Sequence, residues 1–243
     1  MSRLGRIRGY IVDFLRYRVL FWLWQMFMLI VAPFGDTLLY VFYRMDLTRP
    51  LQPFRARVPI LVRLARPEEI EGVARMDEDS SALVELFRNR VRMRQLCHVA
   101  VIEDEIVGCD WVCPRPELVP GGVVVPGPGE VYTTDAFTRP DWRGQNIHPE
   151  INYRMLQDAK ERGYKTAYTL INVDNPRSWK AVKRVGWSWS GTFIWFRLAW
   201  TGKEYVWRLA GSLYPLSRLA NSSYSRPVPR PEPRVDVKEA PHG

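Results

Sequence analysis

Apolar side chains follow two periodic patterns through the middle of the chain. Helical spacing predicts helices, and shorter apolar runs bounded by turn residues predict strands. The expected helices are residues 66–76, 80–93, 149–163 and 176–185. The expected strands are residues 60–65, 95–102, 106–113, 130–138 and 165–172, with one or two more within residues 187–200. This order of elements predicts an α+β fold with helices and strands in one domain.

The first 45 residues have a different pattern. Arginines precede an apolar run, residues 19–34, which is a little shorter than the ~20 residues that cross a bilayer upright. Pro33 and Gly35 then end the helix, so a second short apolar helix at residues 37–45 is expected to fold back. We interpret residues 1–45 as a membrane-associated helical hairpin on the cytoplasmic side of a membrane. A pair of core helices or a dimer interface is the alternative interpretation.

The remaining boundaries follow from composition. Residues 46–59 are rich in Pro and Arg and are typical of a linker, so the folded domain is expected at residues 60–200. Residues 201–221 form an extension that is compatible with an amphipathic helix lying on the membrane or on the domain. Residues 222–243 are rich in Pro with little apolar content, which predicts a disordered tail.

The charge of the chain indicates a class of partner. The 243 residues carry a formal net charge of +9, and the excess is mostly arginine, which is well suited to phosphates or anionic lipid head groups. A nucleic-acid partner is not expected, because the arginines concentrate beside the apolar N-terminus and no recognised motif is present. The three cysteines lack metal-ligand spacing, so we expect reduced core residues and no metal site.

The segment "TRPDWRGQNIHPEI", residues 138–151, predicts the end of a strand, a turn and the start of a helix. Such a turn leaves backbone N–H groups pointing outward at the positive end of the helix dipole, where an anion binds. Pro149 suits the first helical position, which places His148 at the N-cap. Gly144 allows close backbone approach, and Arg143 can add a charge-assisted bond to a phosphate.

Two motifs resemble signatures of the GNAT superfamily of acyl-CoA-dependent N-acyltransferases. The family's phosphate-binding signature is Arg or Gln, two residues, Gly, one residue, and Gly or Ala. It falls on Arg143, Asn146 and His148. A second signature, an Asn that opens a helix and a Gly-aromatic pair that closes it, matches Asn175 and residues 186–187.

The resemblance extends over residues 60–200 and includes the order of elements. It implies a mixed, mostly antiparallel central sheet flanked by helices. It also implies that coenzyme A lies in a cleft where two neighbouring strands splay apart, as an acetyl-CoA or other acyl-CoA co-substrate. The residues expected to bind it are Phe137, Thr138, Arg143, Gly144, Gln145, Asn146, Ile147, His148 and Asn175.

The resemblance also implies a direct attack of an amine on the thioester, with a base that removes the proton of the amine. Glu130 matches the position that supplies the base in some relatives. Asp135 is the second candidate, although strand alternation places it on the opposite face unless a bulge intervenes. Ser178 is expected near the sulfur of coenzyme A.

The sequence departs from the family pattern at three positions. Asn146 replaces a glycine and tolerates the left-handed backbone conformation better than most residues. His148 replaces the second glycine, and it can cap the helix, touch a phosphate, or mark a loop that no longer binds coenzyme A tightly. Val182 stands where many relatives place a tyrosine as general acid for the thiolate, so the acid would be Tyr168, Ser178 or water.

Taken together, these features predict a membrane-associated N-acyltransferase that moves an acyl group, acetyl foremost, from coenzyme A to an amine. The expected acceptor is an amine-bearing small molecule or a lipid-linked amine, and an acyl carrier protein is a variant donor. The alternative is a non-catalytic GNAT-like module that binds a partner or an anionic membrane surface.

Overall fold

The computed structural model describes residues 26–27, 30–76 and 80–217, and these residues form a central sheet of eight strands with a small three-stranded sheet beside it. The strands are β1 Gly35–Asp46, β2 Leu61–Leu64, β3 Leu96–Ile102, β4 Glu105–Cys113, β5 Glu117–Val119, β6 Gly122–Val124, β7 Glu130–Thr138, β8 Thr166–Asn172, β9 Ser188–Leu198, β10 Glu204–Gly211 and β11 Leu216–Ser217. The helices are α1 Ile70–Ala74, α2 Ser80–Arg92, α3 Ile147–Glu161 and α4 Pro176–Val185.

The central sheet has the order β10-β9-β1-β8-β7-β4-β3-β2. Every neighbouring pair is antiparallel except β7 and β8, which run parallel. This arrangement confirms the mixed, mostly antiparallel sheet flanked by helices. The small sheet has the order β11-β6-β5. Strands β5 and β6 lie between β4 and β7 in the chain, and β11 follows β10.

The helix expected at residues 37–45 was a wrong prediction, because these residues lie in strand β1. Leu38, Tyr40 and Phe42 belong to one apolar core, while Tyr43 and Met45 belong to the other. A strand that is covered on both faces has a continuous apolar sequence, and periodicity does not distinguish it from a short buried helix. The second arm of the expected hairpin is therefore a central strand, paired with β8 on one side and β9 on the other.

The first arm of that hairpin falls mostly on residues 1–25, which lie outside the described residues. Within the part of the chain that is described, no helix is both long enough and apolar enough to cross a membrane. The extension also differs from the amphipathic helix considered for it, since residues 204–211 form the edge strand β10. The tail expected at residues 222–243 lies outside the described residues as well.

The two largest apolar cores lie on opposite faces of the central sheet. One includes buried side chains of α1 and α2, such as Val73 and Phe87, packed with Trp111 and Tyr132 of the sheet. The other includes side chains of α3 and α4, such as Met155, packed with the opposite face of the sheet. The helices therefore flank the sheet in two layers, one on each face.

The parallel pair β7–β8 opens part-way along its length. The two strands pair from Glu130 and Thr166 as far as Thr133 and Thr169, and no pairing between them follows. Beyond that point β7 continues beside β4, and β8 continues beside β1. The splayed ends leave a gap in the middle of the sheet.

Candidate functional site

A cavity of about 240 Å³ occupies the gap between the splayed ends of β7 and β8. It is closed on one side by the first turns of α3 and α4. Its lining residues are Asp110, Thr133, Thr134, Asp135, Ala136, His148, Asn152, Thr169, Leu170, Ile171, Asn172, Asn175, Ser178 and Val182. The cavity therefore brings together residues from both motifs that the sequence indicated, together with two side chains, Asp110 and Asn152, that it did not.

A β-bulge in β7 lies at Asp135, which is one of the residues that line this cavity. Trp111 pairs with Thr134, and Cys109 pairs with Phe137, so two residues of β7 stand opposite one residue of β4. Asp135 has φ +50°, a left-handed conformation typical of a bulged residue. The bulge on which its candidacy depended is therefore present.

The carboxylate of Asp135 is held by Arg90 of α2. One Asp135 oxygen lies 2.5 Å from Arg90 Nη2, and Glu117 binds the same guanidinium at 2.6 Å. Burial alone would lower the pKa of Arg90, but the charges of Asp135 and Glu117 outweigh it and raise the pKa. Arg90 is therefore a permanent cation, and Asp135 is a carboxylate with one oxygen committed to an ion pair.

Glu130 is at the first residue of β7 and does not line the cavity. Its carboxylate accepts hydrogen bonds from the Tyr168 hydroxyl at 3.1 Å, the Tyr214 hydroxyl at 2.6 Å and the Gly127 N–H at 2.9 Å. Burial, and then the charge of Glu130, raises the pKa of Tyr168. The phenol therefore stays protonated and bound to Glu130, which indicates a structural cluster on the α1–α2 side of the sheet.

The second motif forms the N-terminus of α4. Asn175 is its N-cap, and the Asn175 side chain accepts a hydrogen bond from the Ser178 N–H at 3.1 Å. Gly186 ends the helix in the left-handed conformation, with φ +101°. This capping directs Ser178 and Val182, one turn apart, toward the cavity.

The phosphate loop precedes α3, and its N-cap is Asn146 in the left-handed conformation, with φ +60° and ψ +25°. The prediction of His148 as N-cap and Pro149 as first helical residue was wrong, because the helix begins at Ile147. Pro149 is the third helical residue, and it costs the helix no hydrogen bond, because an N–H at that position would have no partner within the helix. The left-handed conformation at Asn146 turns the chain into the helix two residues earlier than the proline suggested.

Two arginines lie at this loop. Arg143 Nε donates to the Thr138 carbonyl at 3.1 Å, and its guanidinium lies 5.7 Å from the centre of the Phe137 ring. Arg184, near the end of α4, reaches across to the loop, where Nη1 lies 3.4 Å from Asn146 Oδ1. Arg184 was missed from the sequence, because only the folded packing of α4 against α3 brings it near.

The remaining residues expected to bind coenzyme A lie at the end of β7 and in the loop that follows it. Phe137 and Thr138 pair with Cys109 and Gly108 of β4, so their second backbone edge faces the gap that β8 has left. The Gln145 carbonyl accepts a hydrogen bond from the Arg57 N–H at 2.8 Å, which ties the loop to residues 51–60. Gly144 has φ +85° and open space around its Cα, and it allows a ligand to approach the backbone.

Asp110 and His148 form a pair that sequence reasoning missed. Asp110 is 2% exposed, and its carboxylate accepts from the Trp111 N–H at 2.9 Å and from Asn152 Nδ2 at 3.2 Å. His148 Nε2 lies 3.6 Å from Asp110 Oδ2. Asn152 in turn accepts a hydrogen bond from Trp187 Nε1 at 2.9 Å. A buried network therefore leads from Trp187 to the imidazole at the wall of the cavity.

In the described part of the chain, no group of three or more His, Cys, Asp or Glu side chains is arranged so that it could hold a metal ion. The three cysteines, Cys97, Cys109 and Cys113, are buried and free. Burial raises the pKa of Cys113, so its thiol is protonated at neutral pH.

The family model for the Acetyltransferase (GNAT) family matches residues 61–187, which is just over half of the chain. The chain belongs to the GNAT acetyltransferase family. The family uses acetyl-CoA, and the cavity beside the phosphate loop lies within the matched residues. Strand β1 lies outside the match, although it occupies the centre of the sheet.

Several solved structures are similar to this chain at low sequence identity. A GCN5-related N-acetyltransferase from Sphaerobacter thermophilus has a TM-score of 0.50 at 14% identity, with 70% of this chain and 54% of that chain covered. A transcriptional regulator from Bacillus halodurans C-125 has a TM-score of 0.43 at 20% identity, with 54% and 93% covered. A predicted acetyltransferase from Clostridium acetobutylicum, solved with acetyl-CoA, has a TM-score of 0.41 at 16% identity, with 54% and 90% covered. No sequence among curated proteins matches this chain.

Proposed function

We propose that this GNAT protein is an N-acyltransferase, which moves an acyl group, acetyl foremost, from coenzyme A to an amine by direct attack. The observation that carries the proposal is the opening of the parallel pair β7–β8 directly beside the phosphate loop. An extended thioester needs both a groove for its arm and a site for its phosphates. The gap and the N-terminus of α3 supply these two features next to each other.

The phosphates of coenzyme A would bind at the start of α3. The N–H groups of a first helical turn have no partner within the helix and point at the positive end of its dipole. Arg143 and Arg184 add two positive charges at this loop. The pantetheine arm would then pair with the free edge of β7 at Ala136, Phe137 and Thr138, as an added strand would.

The thioester would lie in the cavity, where an amine attacks its carbonyl carbon. Asp135 is the carboxylate best placed to orient the amine, because it lines the cavity and only one of its oxygens is bound by Arg90. Glu130 is assigned a structural role, since three donors hold it away from the cavity. Ser178 at the start of α4 would face the sulfur.

Calorimetric titration of the full chain with acetyl-CoA and with free coenzyme A tests this proposal. We expect micromolar binding, and Arg143→Ala should weaken it by about tenfold because a charge-assisted bond to a phosphate contributes roughly 1.5–3 kcal/mol. The matched control is Arg154→Ala, which removes an exposed arginine of α3 that pairs with Glu150. Equal affinity of wild type and Arg143→Ala would contradict the phosphate-loop assignment.

The alternative function, a non-catalytic module that binds a partner or an anionic surface, predicts a different result. Such a protein would bind neither acetyl-CoA nor coenzyme A at millimolar concentration. An enzyme that uses an acyl carrier protein as its donor would also bind neither ligand in the calorimeter. Such an enzyme would transfer the acyl group when acyl-loaded carrier protein is supplied, whereas a non-catalytic module would not. The two outcomes are therefore separated by one added assay.

Membrane association is proposed as the setting of this activity. Tyr205 and Trp207 lie two residues apart on the edge strand β10, so they share one face, and both are exposed. Trp200 at the β9–β10 turn is also exposed and packs edge-on against Phe34. Exposed aromatic side chains, in a chain whose N-terminal sequence is apolar and rich in arginine, favour a bilayer surface. Acceptors near a membrane, such as a lipid-linked amine, would then be within reach.

A further inference from the structure

The outer edge of β10 is an end of the central sheet that no other strand of the described residues covers. The opposite end, β2, is only four residues long, and such a short edge offers little backbone to a further strand. Strand β10 has eight residues without proline or lysine, and Tyr205, Trp207 and Leu209 are 41%, 57% and 56% exposed. A long edge with exposed apolar side chains is a site for pairing with another strand.

The backbone groups on this edge point outward at alternate residues. The Leu198 N–H donates to the Lys203 carbonyl at 3.0 Å, at the turn between β9 and β10. Hydrogen-bonded pairs alternate along an antiparallel ladder, and the ladder is regular over residues 204–208, before a β-bulge. Within this segment, the odd-numbered residues are therefore bonded to β9. The N–H and C=O groups of the even-numbered residues point away from the sheet.

The segment "EYVWR", residues 204–208, is complementary to itself in the antiparallel direction. Two copies related by a two-fold axis at its central valine place Glu204 opposite the partner's Arg208. The same register places Tyr205 opposite the partner's Trp207. Its hydrogen-bonded pairs join even-numbered residues, whose backbone groups are the ones that point outward. One register therefore matches the charges, the aromatic side chains and the backbone groups.

The two charged residues are both available for such a contact. Glu204 is exposed, and its Oε2 atom accepts hydrogen bonds from Trp195 Nε1 at 3.0 Å and from the Gly121 N–H at 3.2 Å. These bonds hold the carboxylate in place and leave Oε1 for a further donor. Arg208 is exposed as well, and no ion pair within the described residues includes it. Unlike charges directly opposite each other stabilise paired strands, and symmetry supplies this pair twice.

Pairing at this edge is compatible with the packing of β10 in its own chain. Val206 belongs to the apolar core on the α1–α2 side, so strand alternation places Tyr205 and Trp207 on the other face. A two-fold axis perpendicular to the sheet keeps the same face of both copies on one side. Two aromatic side chains from each copy then lie together on that face, where they stay available to the bilayer proposed above.

We propose that β10 pairs with β10 of a second copy of this chain, which joins the two central sheets into one continuous sheet. The contact uses residues 204–208 in antiparallel register, with Glu204 and Arg208 as the paired charges. This pairing is independent of the proposed acyl transfer. A single pair of strands buries less than the ~1,200 Å² of stable complexes, so we expect a dissociation constant on the order of 10–100 µM.

Sedimentation of the full chain at concentrations from about 3 to 300 µM measures the association. A neutral detergent is present throughout, so that the apolar N-terminal sequence does not hold copies together. Wild type should change from monomer to dimer as the concentration rises. Arg208→Glu should weaken the dimer by about tenfold, because it replaces both ion pairs by like charges.

The matched control is Lys203→Glu, which makes the same change of charge at an exposed residue beside the segment. In the proposed register Lys203 lies opposite the partner's Leu209, which is uncharged. The control should therefore keep the dissociation constant within about twofold of wild type.

Disulfide formation tests the register itself. Tyr205→Cys and Trp207→Cys each place one thiol at residues that lie opposite across the proposed contact, where Cα atoms are about 4.5 Å apart and a disulfide can form. A mixture of the two variants under mild oxidation should give a disulfide-linked dimer. Each variant alone should give much less, because its two thiols are diagonal neighbours about 7–8 Å apart. The three native cysteines are buried, so wild type should give none.

Two kinds of result would overturn the proposal. A monomer at every concentration, with no cross-linked species, would leave this edge to another segment of the chain or to a bilayer. A dimer that is equally stable in wild type and Arg208→Glu, or equal cross-linking by the mixture and by either cysteine variant alone, would place the contact on another surface or in another register.

Discussion

Asn146 holds the phosphate loop in a backbone conformation that usually selects glycine. Its φ of +60° is in the left-handed region, which asparagine enters at less cost than other residues with a Cβ. Its side chain also lies near Arg184, a contact that glycine could not make. The replacement of glycine at this position is therefore compatible with a working loop.

A pair of substitutions tests this account of the loop. Asn146→Gly should keep the affinity for coenzyme A within about twofold, because glycine adopts the left-handed conformation freely. Asn146→Val should weaken binding by about tenfold, since a β-branched residue pays roughly 1–2 kcal/mol for that conformation. Calorimetric titration with coenzyme A measures both. Equal affinities of the two variants would contradict the conformational argument.

At the scale of an element, strand β2 is joined to α1 by a clamp between Arg63 and Glu69. The two side chains form paired hydrogen bonds at 2.7 and 2.8 Å, and Glu69 also accepts the Arg66 N–H at 2.7 Å. The hydrogen bonds to Arg63 lower the pKa of Glu69 to about 2, from an ordinary value of 4.5. The clamp fixes the turn that directs α1 onto the sheet.

Glu69→Gln should therefore destabilise the protein in a pH-dependent way. Because the pKa of Glu69 is lower in the folded state, its contribution is complete above the unfolded value near 4.5 and disappears as pH falls toward 2. We expect a loss of about 1 kcal/mol at pH 7, after allowance for the solvent exposure of both side chains. The difference from wild type should shrink as the pH falls from 5 toward 3. Urea denaturation at several pH values measures it, and a constant difference would contradict the assignment.

At the scale of the whole molecule, β1 changes what the N-terminal region does. The strand lies between β8 and β9, and both of its faces contribute to the apolar cores. The folded unit therefore begins no later than Gly35 rather than at residue 60. Removal of residues 1–50, which would be harmless for an appended hairpin, removes a central strand.

Two shortened chains test this organisation and the membrane proposal together. A chain that begins at residue 26 should fold and should lose most of its binding to vesicles that contain anionic lipids. A chain that begins at residue 47 should fail to fold, because β8 and β9 would lose their shared neighbour. Circular dichroism and vesicle flotation measure the two properties. Full vesicle binding by the first chain, or cooperative unfolding of the second, would contradict the corresponding expectation.

The sequence predicted much of the fold and part of the site. Asn175 and Gly186 cap their helix as expected, because capping depends on residues a few positions apart. The sequence could predict the face on which Asp135 lies only if the presence or absence of a bulge was known. The bulge depends on how β4 pairs with β7, which the sequence alone does not show. Asp110 gave no signal, because its partner His148 is distant in sequence and meets it only after the helix packs on the sheet.

The sequence by itself thus determined the GNAT motifs, the presence of a turn before α3 and most of the helices and strands. These features depend on neighbouring residues, through helix caps, turn residues and the periodic burial of apolar side chains. Tertiary structure alone decided that β1 is a central strand, that Glu130 is tied to two tyrosines, and that Asp110 faces His148. These features depend on contacts between distant segments, and an apolar run or a single carboxylate has the same appearance in a sequence whichever partner it meets. The physical reason is that burial and charge pairing are properties of the assembled sheet and its helices.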